Sequence, residues 1–475
     1  MWRDPVVGRA GFGSMRRSRL ERENPFLPST RLLNSAVLAV PWAEQFLPLI
    51  LPSGLFPDPS LLFLLASVFV PENFTMSLHR NPPFRVEHLG SLLRTHELLD
   101  TKTAFENGKA SQADLEAIEK KDIKDVVELQ QKLRFPALSD GEYCRHMFWG
   151  SFFPGLDGFD EVKDPNPDVF RPYAPDVAAF LEAGHKPGES VFCTGKIKHV
   201  GSTYVDQFKY LASLVAPEEV KNLKITLAAP NWYHLRYREG FAFPKDVYAN
   251  VDEYFADIAK AYQDEIQILY DAGCRNVQFD DPNLAYFCSD KMLKGWEEDK
   301  LNKYSADETF EKYIKLYNDC LAKRPSDFHV GVHLCRGNFV GSRHFSEGGY
   351  DRIATKLFKE LHVDTYYLEY DTPRAGGFEP LKELPRNKNV ILGVVTSKFP
   401  ELEDKEEMKK RVYDAAKFIA EGNGVTLEQA LDQVGVSPQC GFASHREGNL
   451  IDREGMVKKL QLVRDIADDI WPGQL

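Results

Sequence analysis

His333 and Cys335, in the run Val332-His333-Leu334-Cys335, close a β-type stretch that begins at Phe328. Residues i and i+2 of a strand point to one side, roughly 6–7 Å apart at their Cα atoms, so an imidazole and a thiolate can converge there on one metal ion. Two further residues stand at the ends of later apolar runs: Glu369 after Tyr366-Tyr367-Leu368, and Cys440 in Val436-Ser437-Pro438-Gln439-Cys440-Gly441. Two thiolates, one imidazole and one carboxylate form a tetrahedral set suited to Zn²⁺. A substrate thiol that displaced the weakest ligand, the oxygen of Glu369, would lose its proton to such a site and be a strong nucleophile at neutral pH. The competing account makes Cys335 and Cys440 buried packing cysteines and places Glu369 in an ion pair. The pattern alone leaves both open.

Other run ends add carboxylates. Asp140-Gly141-Glu142 closes one and Asp280-Asp281-Pro282 another, and these acids either hold a substrate ammonium group, with Arg145 nearby in sequence, or cap the helices that follow. His88-Leu89-Gly90-Ser91 ends an earlier run, where Gly90 serves a close approach to a ligand or a tight turn. Cys144, Cys193, Cys274, Cys288 and Cys320 show no partner spacing and read as packing residues.

From about residue 80 short apolar runs alternate with amphipathic helical patterns. A helix over Val251–Ala272 places Phe255, Ile258, Tyr262, Ile266 and Leu269 on one stripe, with Gly273 to stop it, and Asn276–Asp280 follows as a strand. Asp404 with Glu407 opens a helix that carries Val412, Ala416 and Ile419 to Gly422, and Thr426 with Gln429 repeats the signal. A long helix covers Ser111 to Leu133, and the last one buries Met456, Leu460, Val463 and Ile466. Strand ends at Ser91, Glu142, Ala229, Asp281, Cys335, Glu369, Ser397 and Cys440 make eight βα units. Eight predicts an α/β fold of the (β/α)8, TIM-type barrel class, with chemistry at the C-terminal strand ends.

The chain has 475 residues and a net charge of −12, which argues against a nucleic-acid partner because no basic excess is available to displace phosphate counterions. Seven cysteines without paired spacing do not resemble a secreted disulfide framework, so a reducing intracellular compartment is expected. Residues 1–75 differ from the rest. Their apolar run from Leu47 to Val70 is broken by Pro48, Pro52, Pro57, Asp58 and Pro59, too short in any clean piece to span a membrane. Their arginines suggest a mitochondrial presequence, but Asp4, Glu21 and Glu23 interrupt them, and Met76 would serve as a start. We read 1–75 as a poorly ordered extension or a misassigned start, and 76–475 as the catalytic barrel. The expected location is the cytoplasm, or the mitochondrion if 1–75 act as a presequence.

In order along the chain, Gly90-Ser91, Gly141-Glu142, Asp280 with Pro282, His333-Leu334-Cys335, Glu369 and Cys440-Gly441 resemble the C-terminal catalytic barrel of cobalamin-independent methionine synthase, and more closely its short, single-barrel relatives. The resemblance covers about residues 84 to 470. It implies zinc on His333, Cys335, Glu369 and Cys440, and an amino-acid thiol, homocysteine, held by Ser91, Glu142 and Asp280. His88 and Gly90 are counted with that substrate-binding group. It further implies methyl transfer from a methyltetrahydrofolate-type donor. The family carries a proton-donating His after its seventh strand. Here the stretch reads Val394-Val395-Thr396-Ser397-Lys398-Phe399-Pro400, which makes Lys398 the candidate catalytic acid, with an ordinary pKa of about 10.4 that would need lowering. An anion-holding or surface role for Lys398 stays open. Trp232 is either a platform for a pterin ring or a core residue. The rival functions are the same chemistry on another thiol or donor, and a barrel that binds a small molecule without catalysis.

Overall fold

The structure, a computed structural model, describes residues 82–474, with His146, His185, Pro187, Val340 and Glu447 excepted. The expectation for residues 1–75 therefore lies outside the described residues. A two-stranded antiparallel ribbon, β1 (Leu156–Val162) and β2 (Ser190–His199), precedes a parallel sheet of six. That sheet runs in sequence order: β3 (Ile225–Ala228), β4 (Asn276–Asp281), β5 (His329–Leu334), β6 (Thr365–Glu369), β7 (Asn389–Val395) and β8 (Val434–Pro438). Nearly every residue of these six strands is buried, as expected of parallel strands covered on both faces, which is why they read as continuous apolar runs.

The barrel closes without regular first and second strands, which corrects the count of eight. Val86 forms a single parallel bridge to Val436 of β8, supported by Glu87 N–H to Val436 O and Val436 N–H to Arg85 O. On the other side, Lys224 N–H donates to Leu138 O and Leu92 N–H to Gly141 O, which links the two short segments to each other and to the edge of β3. A buried ion pair stands in for the missing ladder. Lys224 Nζ meets Glu87 Oε2 at 2.8 Å and His88 O at 2.6 Å. The architecture is thus a (β/α)8 barrel with six regular strands and two staple-like segments.

The helices follow their expected signals closely. Val251–Asp271 buries Phe255, Ile258, Tyr262, Ile266 and Leu269, and Gln112–Lys132 starts at a full capping box between Ser111 and Asp114. Thr426 and Gln429 form another capping box, and Arg453–Ile470 buries Met456, Leu460, Val463 and Ile466. The helix Lys405–Asn423 begins at Asp404, whose side chain accepts from Glu407 N–H, but it runs through Gly422 and stops at Gly424, which takes the left-handed conformation (φ 61°) that a side chain disfavours. Gly422 has a different reason to lack a side chain: an added Cβ would sit 2.0 Å from Lys382 O.

Candidate functional site

Three strand ends bring His333, Cys335, Glu369 and Cys440 together. His333 lies on β5 and Cys335 just beyond it, Glu369 ends β6, and Cys440 follows β8 by two residues. One ligand atom from each lies within 4.8 Å of every other. The two sulfurs are 3.6 Å apart, and His333 Nε2 is 3.5 Å from Glu369 Oε1. His333 and Glu369 are fully buried, Cys440 nearly so, and Cys335 is half-buried.

The donor set fits a zinc ion. Both ring nitrogens of His333 are buried and, among the described residues, accept or donate no hydrogen bond, an arrangement that costs free energy unless a ligand completes it. Burial lowers the His333 pKa, so the ring is neutral and its lone pair available. The hydrogen bond to Cys440, together with burial, pushes the Cys335 thiol well above its ordinary value. Without a cation the Cys335 thiol would stay protonated; a cation reverses that preference.

Glu369 is held from outside. Its Oε1 accepts from Arg336 N–H at 2.8 Å and its Oε2 from Arg374 Nη2 at 2.6 Å, while Arg374 Nη1 bonds Asp371 at 2.8 Å. Burial works to lower the Arg374 pKa, and Glu369 and Asp371 more than reverse it, so the guanidinium is a permanent counter-charge. Cys335 Sγ accepts from Gly337 N–H at 3.4 Å. The sequence offered no periodic signal for Arg336, in the loop after β5, or for Arg374, in the short 3-10 turn Pro373–Ala375 after β6.

A second group adjoins the first. The β4–β5 register pairs Asp280 with His333, which sets Asp280 Oδ1 3.8 Å from His333 Nδ1. Arg145 lies between two acids: its Nη2 contacts Glu142 Oε2 and is 3.6 Å from Asp280 Oδ2. Burial, reinforced by Asp280 and Asp140 and opposed by Arg145, pushes the Glu142 pKa up to about 7. Gly90, in the left-handed region at φ 61°, brings the first segment against Gly441, and Ser91 Oγ is buried without a hydrogen-bond partner among the described residues. A Cβ on Gly441 would lie 2.6 Å from Ser91 N, so that approach needs glycine.

The remaining sequence candidates have different surroundings. His88 bonds Gln130 of the helix Gln112–Lys132 at 2.8 Å, and its ring meets Phe135 edge-on at 5.5 Å. Burial, helped by Lys224, drops its pKa to about 3, so it is neutral. Lys398 is buried, and its Nζ donates to Gly337 O and Asn338 Oδ1, both at 3.0 Å. Asn338 Nδ2 in turn donates to Gly441 O at 2.7 Å and Ser444 Oγ at 3.1 Å. Lys398 thus ties the loop after Cys335 to the loop after Cys440, a link through Asn338 that sequence reasoning did not foresee. Trp232 is buried between Trp149, stacked at 6.4 Å, the edge of Phe148, and the Arg236 guanidinium at 4.7 Å. That resolves it as a core residue.

Comparison with known proteins supports this class. Residues 241–468 match the family model described as "Cobalamin-independent synthase, Catalytic domain". The uncharacterized protein YxjH of Bacillus subtilis is 34% identical over 393 residues, covering 82% of this chain and 96% of that one. A crystal structure of a putative vitamin-B12 independent methionine synthase from Listeria monocytogenes superposes with a TM-score of 0.60 at 27% identity, covering 82% of this chain and 99% of that chain. The 5-methyltetrahydropteroyltriglutamate–homocysteine methyltransferase of Streptococcus agalactiae is 20% identical over 80% of this chain, but the match spans only 44% of that longer protein. The fold is that of a barrel, and the family match indicates a methyltransferase. The chain belongs to the cobalamin-independent methionine synthase family, among relatives of single-barrel length.

Proposed function

We propose that the protein is a zinc-dependent thiol methyltransferase that converts homocysteine to methionine with a methyltetrahydrofolate-type donor. The observation that carries this reading is the convergence of His333, Cys335, Glu369 and Cys440 within 4.8 Å, beside the acids Asp280 and Glu142. A zinc ion bound to those four residues supplies the means of holding a substrate thiol as thiolate at neutral pH.

The chain's own residues do the rest. Glu142 and Asp280 take the substrate ammonium group, and Ser91 takes the carboxylate through its unpaired hydroxyl. Gly90 keeps that end of the pocket open to the ligand. His88 acts at one remove, fixing the segment before Gly90 against Gln130. In the reaction the sulfur gains the methyl group, the bond between methyl and donor breaks, and the donor takes up a proton. With two of its protons engaged by Gly337 and Asn338, Lys398 serves as a positioning residue for the two cysteine loops. Its third proton is left for the rival role of acid towards the donor, and the pH profile of a Lys398 variant decides between the two.

All seven cysteines are free, in keeping with a cytoplasmic enzyme. Among the described residues no helix is long and apolar enough to cross a membrane. The test is methyl transfer from methyltetrahydrofolate to a panel of thiols by the zinc-loaded protein. Product formed from homocysteine supports the proposal, and activity confined to another thiol overturns it.

A further inference from the structure

Arg145 touches both acids of the amino-acid pocket. It is buried, its Nη2 faces Glu142 Oε2 and Asp280 Oδ2, and its Nη1 has no hydrogen-bond partner among the described residues. Its place between two carboxylates is the place an ammonium ion would take. Asp140 and Arg94 also face this group: Asp140 Oδ1 accepts from Glu142 N–H at 2.8 Å, and Arg94 Nη2 donates to Glu142 O at 3.0 Å and Arg145 O at 3.3 Å. Arg94 is thereby committed to the backbone, while among the described residues the Arg145 guanidinium pairs with the two acids.

We propose that Arg145 is a specificity-determining residue that stands in for the ligand's ammonium group and, when an amino acid enters, turns to hold its carboxylate. The inference rests on the amino-acid reading of the pocket. An entering ammonium competes for Glu142 and Asp280 and would leave a buried guanidinium unpaired, a costly state. A carboxylate on the same ligand removes that cost, because a guanidinium fork matches a carboxylate in two parallel hydrogen bonds. The unpaired Ser91 hydroxyl is a second donor for the same carboxylate. An amine without the carboxyl group displaces Arg145 and offers it nothing in return. The pocket therefore selects zwitterions over simple amines, and the chemical class it selects is the free α-amino acid.

The test is calorimetric titration of the full chain, wild type, Arg145→Gln and Arg145→Lys, with L-methionine and with the amine left when its carboxyl group is removed. The wild type is expected to prefer L-methionine by about tenfold or more, the scale of a charge-assisted hydrogen bond. Arg145→Gln should reduce that preference to within a few-fold, and Arg145→Lys, which keeps the charge but loses the fork, should reduce it in part. Circular dichroism checks each fold, and if Arg145→Gln does not fold the Lys variant carries the comparison. A folded variant with the wild-type preference overturns the proposal for Arg145 and leaves the amino-acid reading standing. A wild type that binds neither compound overturns both.

Discussion

Cys335 Sγ and Cys440 Sγ lie 3.6 Å apart although 105 residues separate them in the chain. The barrel accounts for this. Cys335 leaves β5 and Cys440 follows β8, and both strands present their C-terminal ends to the same mouth, where His333 and Glu369 complete a four-donor cluster. Two thiols at that distance are either a potential disulfide or half of a metal site. The orphaned ring of His333 favours the metal.

Arg374 should govern how firmly the cluster holds zinc. It binds the outer oxygen of Glu369 and leaves the other to face the cluster. Residues that orient a ligand in this way typically contribute 10–100-fold to metal affinity. We expect Arg374→Gln to weaken zinc binding by about tenfold or more in chelator competition, with Arg374→Lys in between. An unchanged dissociation constant would count against the orienting role.

Glu142 should make stability fall with rising pH. Its folded pKa of about 7 lies above the ordinary 4.5, so the native state holds its proton where the unfolded chain has released it. That contribution is fully present below about pH 4.5 and is lost as the pH rises towards and through 7. Thermal melts from pH 4 to 8 should therefore decline less steeply for Glu142→Gln than for the wild type. Parallel curves would show that Glu142 titrates normally.

Gly441→Ala should damage both stability and ligand binding. The new Cβ would meet Ser91 N at 2.6 Å and Ser91 Oγ at 3.0 Å, contacts that force the first segment away. Overpacking of this kind costs about 1–3 kcal/mol. Denaturant unfolding and methionine titration would show both losses, and wild-type behaviour in each would mean that the two segments yield without consequence.

Lys398→Met separates positioning from proton donation. As a positioning residue Lys398 fixes Gly337 and Asn338, and through Asn338 the loop of Cys440. Its loss should then weaken zinc binding and lower the methyl-transfer rate while both limbs of the pH profile keep their midpoints. Disappearance of one limb would identify Lys398 as the acid instead.

Much of the barrel was legible in the sequence because its six regular strands are continuous apolar runs and its helices carry explicit caps at Ser111, Asp404 and Thr426. The ligand cluster was legible because each member ends such a run. The first two segments were placed, ending at Ser91 and Glu142, but not their irregularity: Val86 keeps a single bridge and Leu138 a single hydrogen bond from Lys224 N–H, beside the Lys224–Glu87 pair, and none of these leaves a periodic trace. The ribbon was missed because β1 pairs with a strand far along the chain, Leu156 opposite His199, and periodicity carries no information on remote pairing. Lys398 was visible, but not its engagement with Asn338, which depends on how two loops fold over the barrel mouth.

The most direct test is the zinc content of the purified chain, prepared without chelator, beside Cys335→Ser and Cys440→Ser. We expect about one zinc per wild-type chain and loss of the metal in both variants with the fold intact by circular dichroism. A folded wild-type protein without zinc, or variants that keep the full complement, would contradict the assignment of His333, Cys335, Glu369 and Cys440 as its ligands.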